Sequence, residues 1–169
     1  MSMVFLIGMP GVGKTYWARQ IADAFGINCI DLDNYIMQKE GVSIQALFDT
    51  KGEEYFRDAE LKALQQIINI SEKEPAIIVA TGGGTPCYFD NINLLKKAGK
   101  VLWLTGTNDT LINHLKKEQN RPLLLPQNDL QQYLSDILAE RQPYYQQAHH
   151  ILQVENISIL TFDQILKDV

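Results

Sequence analysis

The sequence lacks the features of membrane, secreted and nucleic-acid-binding proteins. It has only two cysteines, Cys29 and Cys87, and their spacing resembles no metal site. We expect both to be reduced, small buried side chains of a cytoplasmic protein. No apolar run approaches the roughly 18 residues of a membrane span, and the N-terminus has no secretory pattern. The net charge of −5 argues against a basic surface for nucleic acid.

Short apolar segments alternate with helical patterns along the 169 residues. Strands are predicted at 3–7, 27–30, 76–81, 100–106 and 149–155. Helices are predicted at 16–25, 34–70 with breaks at Gly41 and Gly52, 91–98, 108–119, 129–141 and 160–169. This order predicts a single α/β domain, a three-layer sandwich around a five-stranded parallel sheet. Ligands of such sheets bind beyond the carboxyl ends of the strands.

The segment GMPGVGKT, residues 8–15, lies between the first strand and the first helix. It matches the phosphate-binding pattern G-x-x-x-x-G-K-[ST], and we call it the P-loop. Its backbone N–H groups and the N-terminus of the helix would face nucleotide phosphates. Lys14 would reach the β- and γ-phosphates, and the Thr15 hydroxyl would bind Mg²⁺. The alternative is a purely structural turn.

Two classes of P-loop protein lack their other motifs here. DTKG, residues 49–52, fits the loose D-x-x-G pattern of GTPases, but the sequence contains no N-K-x-D. A motor ATPase would carry an apolar strand that ends in D-E, which is also missing. A small chain with one acceptor site indicates a small-molecule kinase.

Arginine is scarce, with four residues against eleven lysines. Its rigid planar group binds carboxylate or phosphate bidentately, which lysine cannot do. Arg19 lies in the first helix and is interpreted as a surface residue. The other three lie in the distinctive segments EEYFRDAE, NRPLLL and ERQPYY. Such placement indicates an anionic acceptor, although codon bias could produce the same count.

Five motifs in order resemble the shikimate kinase family. After the P-loop come DLD at 31–33, GEEYFRDAE at 52–60, GGG at 82–84, RPLL at 121–124 and RQPYY at 141–145. The resemblance implies transfer of the ATP γ-phosphoryl group to the 3-hydroxyl of shikimate, in the pathway to chorismate. It also implies one monomeric P-loop kinase domain over 1–169, similar to nucleoside monophosphate kinases, with Mg²⁺ as cofactor. The substrate-binding region would be about 33–60 and the lid about 115–128.

The resemblance assigns the nucleotide and metal contacts. Arg121 would reach the transferring phosphoryl group when the lid closes, and Asp31 would act on Mg²⁺ through water, together with Thr15. The implied ATP-binding residues are Gly11, Val12, Gly13, Lys14, Thr15, Tyr16 and Arg121.

Substrate recognition is assigned in the same way. Shikimate carries one carboxylate and three hydroxyls, so a specific site needs guanidinium groups and a carboxylate. Asp33 would bind the ring hydroxyls and act as general base. It could also be the N-cap of the next helix. The implied carboxylate and backbone contacts are Arg57, Arg141, Gly83 and Gly84. Glu60 would hold Arg57 in place, with an ordinary surface pair as the alternative. Lys14, Asp33 and Arg121 are the predicted catalytic residues.

The sequence departs from the family pattern on the adenine side. His114 stands where an arginine is frequent, and no arginine follows Arg141, so the adenine contacts stay open. His149 and His150 are interpreted as strand-edge residues with no metal role. Tyr144 and Tyr145 would orient the helix that carries Arg141. Two other functions are considered, namely a P-loop kinase for another small acid such as gluconate, and a non-catalytic nucleotide-binding regulator.

Overall fold

The computed structural model describes residues 2–71, 76–117 and 127–167. Its strands are β1 (Ser2–Ile7), β2 (Asn28–Asp31), β3 (Ala76–Ala80), β4 (Lys100–Thr105) and β5 (His150–Gln153). Its α-helices are α1 (Lys14–Phe25), α2 (Leu32–Glu40), α3 (Ile44–Ser71), α4 (Asn91–Ala98), α5 (Asn108–Lys117), α6 (Gln127–Tyr145) and α7 (Ile159–Lys167), with a 3₁₀-helix at Thr85–Cys87. Arg121 and most of the predicted lid, about 115–128, lie outside the described residues.

The five strands form one parallel sheet in the order β2-β3-β1-β4-β5. This confirms the predicted α/β class and its five-stranded sheet. Ala80, the last residue of β3, lies beside Leu6 of β1 on one side and Asp31 of β2 on the other. The P-loop, the DLD segment and the glycine triplet therefore leave the sheet at the same edge.

The central strand β1 is buried on both faces. Val4, Phe5, Leu6 and Ile7 each expose 1 % or less of their surface, although successive side chains point to opposite faces. Helices must therefore cover both sides of the sheet, which gives three layers. In the edge strand β2, Cys29 is exposed, so the expectation that it is buried was wrong. Cys87 is partly buried, and burial raises the pKa of its thiol to about 11.

The start of α2 corrects one prediction. Its N-cap is Asp31, whose Oδ1 accepts a hydrogen bond from the Asn34 backbone N–H at 3.0 Å. Asp33 lies in the first turn of the helix, so the N-cap role considered for it was wrong. An acidic side chain is favourable there because the helix dipole is positive at its N-terminus. The helix thus begins at Leu32, two residues before the predicted position.

Two glycines interrupt the long helical region, as the sequence predicts. Gly41 ends α2 in the left-handed conformation with φ of 72°, and its N–H donates to Met37. Gly52 has φ of 83° and ψ of 173°, which breaks α3 internally. Only glycine adopts the second conformation readily. The break starts a new helical segment just before Glu53 and Arg57, and so it sets the direction of both side chains.

Candidate active site

The P-loop is held by glycines whose backbone conformations disfavour other residues. Gly8, Gly11 and Gly13 have φ of +141°, +80° and +93°. A Cβ on Gly8 would also collide with the Leu104 carbonyl oxygen. The loop therefore curls tightly over the end of β1 before α1 begins at Lys14.

Lys14 points back into this loop. Its Nζ donates hydrogen bonds to the carbonyl oxygens of Gly8 at 2.8 Å and Met9 at 2.9 Å. The side chain is nearly buried, with 9 % of the residue exposed. The ammonium group is thus fixed inside the loop whose N–H groups are predicted to hold phosphate.

Val12 and Tyr16, both predicted ATP contacts, differ in their surroundings. Val12 is buried, and its N–H donates to the Met9 carbonyl oxygen at 3.3 Å. Tyr16 is exposed and contacts Trp17 edge-on, with ring centroids 5.5 Å apart. The Val12 side chain is therefore closed off from a nucleotide, whereas Tyr16 can offer its ring.

Thr15 and Asp31, the two residues predicted to act on Mg²⁺, meet at the start of α1. The Thr15 hydroxyl donates to Asp31 Oδ2 at 2.6 Å. Hydroxyl and carboxylate oxygens are the ligands that Mg²⁺ prefers, and this ion usually keeps several waters and phosphate oxygens. Within the described ranges, no group of three or more His, Cys, Asp or Glu side chains could hold a metal ion. The Thr15–Asp31 pair therefore fits a Mg²⁺ ion that arrives with the nucleotide.

Arg57 is surrounded by two carboxylates and an aromatic ring. Its Nη1 donates to Glu60 Oε2 at 3.0 Å, while Nε and Nη2 donate to Glu53 Oε1 at 3.3 and 3.2 Å. The Tyr88 ring lies over the guanidinium at 4.1 Å. Burial lowers the pKa of Arg57, but the pairing with Glu60 outweighs it and the net shift is upward. The group is thus a fixed, permanent cation.

Glu60 is a buried partner of Arg57. It exposes 1 % of its surface, and its Oε1 accepts a hydrogen bond from the Thr85 hydroxyl at 2.5 Å. Burial raises the pKa of the Glu60 carboxyl, an effect that the Thr85 bond and Arg57 oppose. Glu60 therefore contacts Arg57 as predicted. The alternative of a surface pair is wrong.

Asp33 and Glu60 both face the first glycine of the triplet. A Cβ on Gly82 would lie 2.9 Å from Glu60 Oε1, 3.1 Å from Thr85 Oγ1 and 3.2 Å from Asp33 Oδ1. The Asp33 charge also raises the pKa of Glu60, after the larger effect of burial. The absence of a side chain at Gly82 is what lets these oxygens approach the turn.

The next two glycines face the arginines. A Cβ on Gly83 would lie 2.8 Å from Arg141 Nη1 and 3.1 Å from Pro10 Cδ. A Cβ on Gly84 would lie 2.8 Å from Arg57 Nη2. The structure thus brings Asp33, Arg57 and Arg141 around one glycine turn, with Pro10 of the P-loop beside it. Arg19, by contrast, is exposed on α1, as predicted.

Tyr145 fastens this turn to α6. Its hydroxyl donates to the Gly83 carbonyl oxygen at 2.6 Å, and the residue is fully buried against Trp103, with ring centroids 5.5 Å apart. Burial raises the pKa of Tyr145, so the hydroxyl stays protonated and can donate. Tyr145 was predicted to orient its own helix, and its bond to Gly83 was not predicted.

We expect Tyr145→Phe to weaken the acceptor site and leave the nucleotide site intact. The change removes the hydrogen bond to the Gly83 carbonyl but keeps the ring in the core. A lost buried hydrogen bond costs about 1–2 kcal/mol. KM for the acceptor should rise by roughly fivefold to thirtyfold, whereas KM for ATP should stay within twofold. Tyr144→Phe is the matched control because Tyr144 is exposed on the same helix turn. An equal rise in both KM values would contradict the assignment.

His114 reaches the P-loop from α5. Its Nδ1 lies 2.7 Å from the Gly11 carbonyl oxygen. Because a carbonyl oxygen can only accept, Nδ1 carries the hydrogen of this bond. His114 thus binds the backbone of the loop. Its position beside Gly11 places it next to the predicted nucleotide site.

His149 extends the sheet at the start of β5. Its ring Nδ1 accepts a hydrogen bond from the Val101 backbone N–H at 2.9 Å, and the backbone N–H of His149 donates to the Val101 carbonyl oxygen at 2.9 Å. Burial lowers the pKa of His149, which agrees with a neutral acceptor ring. The ring thus takes part in strand pairing at the sheet end.

Several residues of the site carry no motif of their own. Thr85 and Tyr88 bind Glu60 and Glu53 across 25 and 35 positions of sequence. Of these residues, only Glu53 could have been predicted from the sequence, because it lies four residues before Arg57 and could pair with it on a helix.

Comparisons with known proteins identify the family of this chain. A model of the shikimate kinase family matches residues 10–169. A shikimate kinase of Phocaeicola vulgatus is 34% identical over 160 residues, 93% of this chain and 89% of that protein. One of Clostridium botulinum is 38% identical over 154 residues, 90% of this chain and 87% of that protein.

Solved structures show the same relationship. The shikimate kinase of Bacteroides thetaiotaomicron superposes with a TM-score of 0.89 at 28% identity and covers 98% of both chains. That of Acinetobacter baumannii, solved in complex with shikimate, gives 0.83 at 30% identity over 98% of this chain and 90% of its own. A gluconokinase of Sinorhizobium meliloti shares the fold alone. Its TM-score is 0.53 at 15% identity, over 90% of this chain and 81% of its own. The motif resemblance is therefore confirmed, and this chain belongs to the shikimate kinase family of ATP-dependent phosphotransferases.

Proposed function

We propose that the chain transfers the γ-phosphoryl group of ATP to the 3-hydroxyl of shikimate, which gives shikimate 3-phosphate and ADP. One observation carries this assignment, namely that Asp33, Arg57 and Arg141 surround the glycine turn beside the P-loop. The shikimate complex of the A. baumannii relative supports the choice of acceptor. The reaction belongs to chorismate and aromatic amino-acid biosynthesis. We propose that residues 1–169 act as one monomeric kinase domain in the cytoplasm.

The two arginines fit the acid group of the substrate. Arg57 and Arg141 face neighbouring glycines, so a carboxylate between them could receive donors from both. Gly83 and Gly84 lie next to the two guanidinium groups, so their backbone could contact the same carboxylate. The buried Glu60 accepts a hydrogen bond from Nη1 of Arg57, so that the guanidinium needs little ordering when substrate binds.

Asp33 fits the hydroxyl end of the substrate. Its Oδ1 would accept the proton of the 3-hydroxyl as that oxygen forms a bond to the γ-phosphorus. The bond from the γ-phosphorus to the bridging oxygen breaks, and the electron pair leaves with ADP. Because phosphoryl transfer depends mainly on position and charge neutralisation, the Lys14 ammonium would stabilise the phosphate oxygens. The predicted role of Arg121 at the transferring group stays a prediction.

The nucleotide would lie along residues 11–16. The backbone of Gly11, Val12 and Gly13 would face phosphate oxygens in this arrangement, and the N-terminus of α1 would add its positive dipole end. Thr15 and Asp31 would hold Mg²⁺, which when bound neutralises charge on the β- and γ-phosphates. The ring of Tyr16 would border the nucleotide.

The two other functions fit the site less well. A kinase for gluconate would share the fold, but the gluconokinase match is at the fold level only. A non-catalytic nucleotide-binding regulator has no need for a buried Arg57–Glu60 pair aimed at an acceptor turn. No contact among the described residues favours either of these two functions over shikimate phosphorylation.

The proposal is tested by ADP release with a panel of acceptors. Purified protein with ATP and Mg²⁺ is supplied with shikimate, gluconate, AMP or CMP, and the product is located by ³¹P NMR. We expect turnover with shikimate alone and phosphorylation at the 3-hydroxyl. No shikimate-dependent ADP release would refute the proposed function.

A further inference from the structure

Arg57 is paired with two carboxylates that differ sharply in burial. The side chain of Glu60 is 1% exposed, whereas that of Glu53 is 55% exposed. Glu60 is locked by Thr85, but Glu53 can rotate into solvent. We propose that Glu53 is a built-in competitor for the acid group of the substrate, which must displace it from Arg57 to bind. This inference rests on the proposed function and deepens it, because it names what limits affinity for hydroxy-acid substrates.

Glu53 occupies the edge of Arg57 that suits a carboxylate. Nε and Nη2 form one side of the guanidinium, where a carboxylate can accept two parallel hydrogen bonds, one on each oxygen. Glu53 uses a single oxygen, Oε1, for both, at 3.3 and 3.2 Å. The same oxygen also accepts the Tyr88 hydroxyl at 3.0 Å. A substrate carboxylate that placed both oxygens on this edge would be the better partner.

The balance of charge also favours the departure of Glu53 when a substrate anion binds. Of the described arginines, Arg57 and Arg141 face the glycine turn, and Glu53 and Glu60 together offset their two positive charges. Asp33 adds a further negative charge. With Glu53 in place the acid end has no net positive charge to attract a substrate anion. When Glu53 rotates into water, the net charge of these groups rises from −1 to 0, and the Nε–Nη2 edge of Arg57 is open to the incoming carboxylate.

Arg57 stays ordered during this exchange. The Tyr88 ring lies over its guanidinium at 4.1 Å, and Glu60 binds Nη1 at 3.0 Å. The Glu60 contact does not involve Glu53, whereas Tyr88 would give up its hydroxyl bond to Glu53 and keep its ring over the guanidinium. The exchange therefore replaces one carboxylate by another on a fixed cation, without a rearrangement of α3.

The experiment measures shikimate binding by calorimetry without nucleotide, in the wild type, Glu53→Gln and Glu54→Gln. Glutamine keeps the size of the side chain but removes its charge. We expect Glu53→Gln to lower the Kd of shikimate by about threefold to tenfold. Glu54→Gln removes the same charge from the next residue, which is exposed, and should leave the Kd within twofold. The uncharged methyl ester of shikimate brings no competing carboxylate, so its Kd should not change between wild type and Glu53→Gln.

Each other result has a distinct meaning. Weaker or unchanged shikimate binding by Glu53→Gln would show that Glu53 positions Arg57 or is idle, which overturns the inference. Equal tightening by both variants, or tightening of the ester as well, would reveal a general effect of charge or fold and overturn it too. No binding of shikimate to the wild type would refute the proposed function itself, and the inference with it.

Discussion

Replacing Asp33 by asparagine is expected to lower kcat by about 100-fold to 10,000-fold, the range that a positioned general base contributes. Asparagine keeps the shape of the side chain and a hydrogen-bond acceptor, but it cannot take up the proton of the attacking hydroxyl. Stability should change little because Asp31, not Asp33, caps α2. The loss of one acidic group in the first helical turn costs about 0.3–1 kcal/mol.

The measurement separates chemistry from binding. Steady-state kcat is compared with the Kd of ADP and of shikimate for Asp33→Asn and for Asp49→Asn. Asp49 lies on α3, and it is an exposed carboxylate bonded to Gln45. We expect the ADP Kd to stay within twofold in both variants and kcat to fall only in the first. A kcat for Asp33→Asn within tenfold of the wild type would remove Asp33 from the role of base.

The order of strands and helices could be predicted because burial leaves a direct pattern in the sequence. The apolar runs at 3–7 and 76–81 correspond to β1 and β3, whose side chains are buried almost throughout. Element ends were harder, since they depend on single hydrogen bonds. Asp31 and Asp33 are identical side chains two residues apart, and only the folded backbone shows that Asp31 accepts from Asn34.

The site was predictable only where a motif carries it. The segments with Asp33, Arg57 and the glycine triplet were each readable, and parallel strands bring their ends to one edge. The residues that hold these segments in position could not be predicted. Tyr145 binds Gly83 across 62 positions of sequence, and no local pattern encodes such a contact. The relative burial of Glu53 and Glu60 was equally hidden, because both lie at helical spacing from Arg57.

The two glutamates on Arg57 should act on substrate binding in opposite directions. Glu60 is buried and bonded to both Arg57 and Thr85, so its loss should weaken the site. Glu53 is exposed and occupies the Nε–Nη2 edge of Arg57, so its loss should strengthen binding. Burial thus decides whether a carboxylate next to the same arginine supports the substrate or competes with it.

Glu60→Ala is expected to reduce the free energy of unfolding by about 3–5 kcal/mol, because it leaves the charge of a buried arginine without its buried partner. Arg57 is only 8% exposed and the Thr85 hydroxyl also loses its acceptor. For a domain of this size the loss corresponds to a fall in Tm of about 6–20 °C. The shikimate Kd should rise by roughly tenfold or more, since Arg57 loses its fixed orientation.

Thermal unfolding and calorimetry of Glu60→Ala and Glu60→Gln test this expectation. Glutamine keeps the volume and can still accept from Arg57 while it donates to Thr85, so Glu60→Gln should lose less stability than Glu60→Ala. Its shikimate Kd should still rise, opposite in sign to the effect of Glu53→Gln. A Glu60→Ala protein as stable as the wild type would mean that Glu53 and Tyr88 alone satisfy Arg57. In that case Glu53 could not be the carboxylate that leaves, because Arg57 would depend on it.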